Sequence, residues 1–131
     1  MRRHRSKKQG VASVELAICL PVIVIIVLGA LTASSMIFMR QAVVQSAYET
    51  IKEAIRTDGT VASALQRGND VLNFRNITPT SIVFDPADPQ SVPRGTPVTV
   101  TIRAGVGENQ FYSFGPFINR TVEVSSTMVK E

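Results

Sequence analysis

The chain has no tryptophan, one histidine and one cysteine. The lone Cys19 rules out an intrachain disulfide. It lies in an apolar run, where it reads as a small side chain facing lipid or a partner helix. The lone His4 lies in a polar, basic leader. These two residues therefore supply neither a Cys–His nucleophile pair nor a metal-ligand set. No glycine-rich phosphate loop is present. Asp85 and Asp88 are two acids in a proline-rich stretch and read as solvated turn residues. Asn76-Ile77-Thr78 and Asn119-Arg120-Thr121 match the glycosylation sequon by chance. The expectation is a protein that is not an enzyme and takes no metal, cofactor or small-molecule substrate. Aromatic content is only 6%, so any soluble core rests on Val, Ile and Leu.

Charge is missing too, and its absence is local. No acid precedes Glu15, and the 24 residues from Leu16 to Met39 carry no charge. A helix over that run reaches roughly 36 Å at 1.5 Å per residue. A bilayer core of about 30 Å needs about 20 apolar residues. Residues 11–39 therefore read as a membrane-spanning helix. Arg2, Arg3, Arg5, Lys7 and Lys8 precede it. Basic residues beside a span stay on the cytoplasmic side. The expected topology is single-pass in the cytoplasmic membrane, with the N-terminus inside and residues 40–131 outside. From Arg40 onward nine basic residues balance nine acidic ones. A nucleic-acid binder concentrates positive charge on its folded domain, so nucleic acid is not an expected partner.

The leader ends in Gly10, and Glu15 follows five residues later at the front of the apolar run. A secretory signal places its small-residue cleavage site after a shorter apolar stretch. Ala33-Ser34-Ser35 is a weak match to that pattern. The order basic leader, Gly, Glu, apolar helix resembles the type IV prepilin signal, which a membrane peptidase cuts after the Gly. Ala12-Ser13-Val14-Glu15-Leu16-Ala17 followed by Leu20-Pro21 is similar to the opening of the TadE-like family, the minor pseudopilins of tight-adherence (Tad) pili. Ser13 and Leu16 depart from the family's commonest residues there. The ending Ser125-Ser126-Thr127-Met128-Val129-Lys130-Glu131 is similar to the family's close. The resemblance implies a prepilin peptidase as processing partner, Gly10 and Val11 as the processing site, and other Tad pilins as assembly partners.

Glu15 needs a partner if it is to be buried among helices. Cleavage after Gly10 would create a new amine on Val11, one helical turn away. Pairing of the two, within a subunit or between neighbours, would set axial register more than add stability. Pro21 costs roughly 3 kcal/mol in a soluble helix, but a membrane helix tolerates it as a bend. Gly29, Ala30, Thr32, Ala33, Ser34 and Ser35 form a small-residue patch suited to close helix packing.

Beyond Arg40, Val44, Tyr48, Ile51 and Ile55 recur at helical spacing and predict an amphipathic continuation. Thr57-Asp58-Gly59-Thr60 stops it, with Gly59 as C-terminal cap. Thr60 caps a second helix over Val61–Leu72, which Gly68 weakens. Three strands follow: Ser81–Phe84, Val98–Ile102 and Thr121–Met128. Asp85–Pro97 reads as a loop. Gly105–Asn119, with Phe111, Tyr112, Phe114 and Phe117, reads as an irregular aromatic loop. The expected fold is α+β and pilin-like. A long membrane helix runs into an amphipathic helix packed on a small antiparallel sheet of about three strands. The domains are a basic leader (1–10), a transmembrane helix (11–39) and an extracytoplasmic domain (40–131). The runner-up is an uncleaved single-pass envelope protein whose β-rich domain binds a partner. A third reading, a secreted hydrolase behind a signal peptide, lacks catalytic residues.

Overall fold

A computed structural model describes residues 5–109 and 119–130. One helix, α1 (Arg5–Ala54), runs without interruption through the apolar segment and past it. Then come α2 (Val61–Asn73), β1 (Ser81–Asp85), β2 (Pro97–Gly105), the short α3 (Val106–Asn109) and β3 (Thr121–Val129). The strands form one antiparallel sheet in the order β1-β2-β3. Ile82 pairs with Ile102, and Ile102 in turn with Val124. The fold is α+β, with a long N-terminal helix carrying a three-stranded sheet.

Alternation sorts the sheet into two faces. Val98, Val100, Ile102 and Ala104 of β2 are fully buried, and Phe84 of β1 is buried beside them. Val122, Val124 and Met128 of β3 pack against them. The outer face is polar. Thr99 meets Thr127 at 2.8 Å and Thr101 meets Ser125 at 2.9 Å. Arg103 donates to both carboxylate oxygens of Glu123, at 3.0 and 3.2 Å. That bidentate pair holds the exposed guanidinium above its ordinary pKa.

The helix packs on this domain through a face different from the expected one. Val44 and Tyr48 are about half exposed, at 46% and 48%. The buried face is Ala42, Val43, Ser46, Ala47, Thr50, Ile51 and Ala54. The side chains expected to face the sheet are thus only Ile51 and, in part, Ile55. The reason is steric. The domain side of α1 must admit the backbone of α2 at close range, which favours Ala, Ser and Thr over bulky residues. Ser46 Oγ donates to the Gly68 carbonyl at 2.8 Å. A Cβ at Gly68 would collide with Thr50 Oγ1. Gly68 is therefore the contact point of the two helices, whatever it costs in helix propensity.

Caps mark the ends of α2. Thr60 Oγ1 accepts from Ser63 N–H and Ser63 Oγ accepts from Thr60 N–H, both at 3.0 Å. This reciprocal pair satisfies two N-terminal donors. At the other end Asn76 takes a left-handed conformation (φ 54°). Ile77 N–H then reaches the Leu72 carbonyl and Asn76 N–H the Asn73 carbonyl, each at 3.0 Å. That is the Schellman arrangement, with Leu72 and Ile77 both buried beside it. Gly59 behaves differently from the expected cap: no left-handed φ is involved. A Cβ there would strike the Glu53 carbonyl, so close approach is what demands glycine.

The loop 86–96 is anchored at the end of α1. Gln90 Nε2 donates to the Ala54 carbonyl at 2.8 Å. Lys130 Nζ donates to the Gln90 and Val92 carbonyls, both at 2.8 Å. Asp88 serves as a turn residue, its Oδ1 accepting from Gln90 N–H at 3.0 Å. The start of the stretch expected to be irregular, Gly105–Asn119, is regular. β2 extends to Gly105 and residues 106–109 are helical, because Asn109 Nδ2 bonds back to the Gly105 and Thr78 carbonyls. Phe111, Tyr112, Phe114 and Phe117 lie outside the described residues, as does His4.

Gly68→Leu should separate α1 from α2 and cost about 2–3 kcal/mol through overpacking and the lost Ser46 bond. Thermal melting of the detergent-solubilised protein reads this loss. Gly29→Ala is the control, since nothing lies within 4 Å of its added Cβ. Asn76→Val should cost about 1–2 kcal/mol by forcing a branched side chain into the left-handed region, and Asn76→Gly should be near neutral.

Candidate functional site

From Val11 to Leu31 nearly every large apolar side chain of α1 is exposed, Ile18, Ile25 and Ile26 most of all. Gly10–Ala54 has the length and composition of a membrane span, with a mean hydropathy of 2.8 over its most apolar window. Exposed on all sides, this segment is suited to lipid rather than to a protein core. One-sided burial begins at Thr32 and continues through Met36 and Met39. Val11–Leu31, about 21 residues, covers roughly 32 Å, close to the thickness of a bilayer core. Thr32 and Ser35 turn their hydroxyls back onto the helix, to the Leu28 and Thr32 carbonyls at 2.9 Å each. Neither leaves an unpaired polar group at the top of the span.

The four site residues read from the sequence all lie on this one helix. Val11 and Glu15 are four residues apart, so their side chains share a face. Glu15 is exposed and forms no ion pair among the described residues. Pro21 is accommodated inside the helix. Gly10 is itself helical, continuous with residues 5–9 before it. A side chain added at Gly10 would meet nothing within 4 Å. The fold therefore gives no reason for glycine at this position. Glycine costs about 1 kcal/mol relative to alanine in a helix, so Gly10 is a weak point in α1. Cys19 is exposed in the same segment.

The sequence reading missed the bulky stripe that α1 leaves uncovered beyond the span. Its signal was present as the spacing of Val44 and Tyr48, but that spacing was assigned to the domain side.

Residues 10–51 match the family model of TadE-like protein. The match covers about a third of the chain. It contains Gly10, Val11, Glu15 and Pro21, and reaches the part of α1 that carries the domain. No curated protein and no solved structure matches the chain. Over this segment the chain is similar to TadE-like proteins. The single candidate span near the N-terminus fits a single-pass membrane protein.

Because nothing packs on Gly10, Gly10→Ala should leave the melting temperature of the solubilised protein unchanged or slightly raised. A fall of several degrees would show that the fold itself depends on this glycine.

Proposed function

We propose that the chain is a minor pseudopilin of a Tad-type pilus. It is inserted with its N-terminus in the cytoplasm, cut after Gly10 by a prepilin peptidase, and assembled through α1 with other pilins for adherence. The observation that carries this reading is the helix face itself. Gly10 is dispensable to the fold, Glu15 lies one turn beyond Val11, and both fall in the segment matched by the TadE-like model. Cleavage would give Val11 an amine within reach of the Glu15 carboxylate of the same or a neighbouring subunit. Bundled in lipid, an unpaired carboxylate is costly and a paired one much less so. The pair would lock neighbours at one axial offset.

The unbroken helix from Arg5 through Gly10 favours the second reading, an uncleaved envelope anchor whose β-rich domain binds a partner. Intact mass of membrane-extracted protein separates the two. A chain starting at Val11 supports the pseudopilin; one starting at Met1 supports the anchor. Gly10→Leu should block shortening while insertion continues, because the apolar run is untouched.

Glu15→Gln tests the pairing. Insertion and cleavage should persist, while co-purification with filament partners and surface adherence should fall sharply. The expected loss is of the order of 3–5 kcal/mol for a fully buried pair, and less near the interface. Wild-type co-purification of the cleaved variant would remove the pairing mechanism.

A further inference from the structure

α2 comes back down toward the span. Its contacts with α1 run in reverse order: Ser63 meets Glu53 at 3.4 Å, Arg67 meets Glu49 at 3.4 Å, and Ser46 meets the Gly68 carbonyl at 2.8 Å. Each step forward along α2 is thus a step back along α1. Phe74 lies six residues past Gly68, about 9 Å further down. That places it level with Arg40, where the uncharged run has just ended.

Phe74 is 90% exposed there, more than any other large apolar side chain among the described residues. The fold holds it in place without using it. Its N–H donates to the Asp70 carbonyl, and the N–H groups of Arg75 and Asn76 donate to the Leu72 and Asn73 carbonyls, each at 3.0 Å. The turn therefore brings satisfied donors to any layer poor in water. The apolar surface continues into the span. Arg75 Nη2 donates to Gln45 Oε1 at 2.9 Å, and the exposed Phe38, inside the uncharged run, lies seven residues before Gln45 on the same face of α1. The charges that share a hollow with Phe74 stand further out: Asp70 and Arg67 lie one and two turns back up α2.

The uncharged run is longer than a bilayer core is thick. Leu16–Met39 reaches roughly 36 Å, against about 30 Å of hydrocarbon. A span that is too long tilts, and a tilt of about 30° brings its height down to about 31 Å. Tilted toward α2, it also lowers that helix, whose axis stands about 8–10 Å away, by about 4–5 Å. Phe74 then reaches the boundary between headgroups and acyl chains, the layer in which surface-bound helices bury Trp, Phe and Leu.

We propose that the tip of α2 is a second membrane contact, with Phe74 inserted in the leaflet on the domain side. Its occupant is the lipid surface itself. The contact needs α1 to span a bilayer; it needs neither cleavage at Gly10 nor pilin partners. A span alone leaves the domain free to swivel about the helix axis. An inserted side chain off that axis stops the swivel and sets the direction in which α1 leans.

The chain has no tryptophan, so one introduced tryptophan reports alone. Phe74→Trp, Ile25→Trp in the span and Val83→Trp on the outer sheet face are made singly in the full-length protein. Each is reconstituted by itself into phosphatidylcholine vesicles brominated either near the headgroup or near the chain end. Phe74→Trp should be quenched about twofold by the shallow bromines and less by the deep ones. Ile25→Trp should show the reverse order, and Val83→Trp no quenching. An unquenched, water-like emission from Phe74→Trp beside a quenched Ile25→Trp overturns this contact alone. A blue-shifted but unquenched Phe74→Trp means that a second copy covers the tip, which overturns the contact as well. Equal quenching of Val83→Trp means that the domain lies on the bilayer without using this tip, and overturns it too. An unquenched Ile25→Trp overturns the span itself and the contact with it.

Discussion

Close backbone approach between α1 and α2 is the constraint on which the extramembrane domain depends. Ser46 reaches the Gly68 carbonyl at 2.8 Å, and Thr50 occupies the space that any side chain at 68 would need. Such contact forces the domain side of α1 to be small. Ala42, Ala47 and Ala54 then let the helix settle against the inner sheet face, where Val98, Val100 and Ile102 supply the bulk. Among the described residues Phe84 is the one buried aromatic, and such a core is workable because backbones approach closely where side chains are short. Thr50 spends its own hydroxyl on the Ser46 carbonyl at 2.7 Å, so this seam leaves neither side chain without a partner.

Much of this was legible in the sequence, because several signals are local. The uncharged run made the helix, Thr60 marked the start of α2, and the alternation of Val98, Val100 and Ile102 set the face of β2. What escaped was non-local. Gly68 reads as a flaw in a helix until its neighbour across 22 residues is known. Val44 and Tyr48 read as the packing face because bulk usually means burial, and Ala, Ser and Thr carry little periodic signal of their own. Asn76 resembled a chance sequon rather than a left-handed helix end. The residues of the candidate site were legible for the opposite reason. Gly10 and Glu15 stand out because nothing in the fold asks for them.

The molecule divides its long helix by solvent. From Leu16 to Leu31 the helix is apolar and exposed on every side, and from Thr32 one side of it is buried against the domain. The bulky stripe carries some of the span's character out past that boundary. A helix that leaves bulky apolar groups in water beyond its span keeps an uncovered face there.

The unbroken course of α1 also makes it a shaft. With no linker between span and domain, the compass bearing of the sheet is geared to that of Glu15 by residue count alone. Each residue added or removed between Leu16 and Leu31 would turn the domain by about 100° and shift it by about 1.5 Å. The length of the greasy segment is thus more than a fit to bilayer thickness: it aims the head.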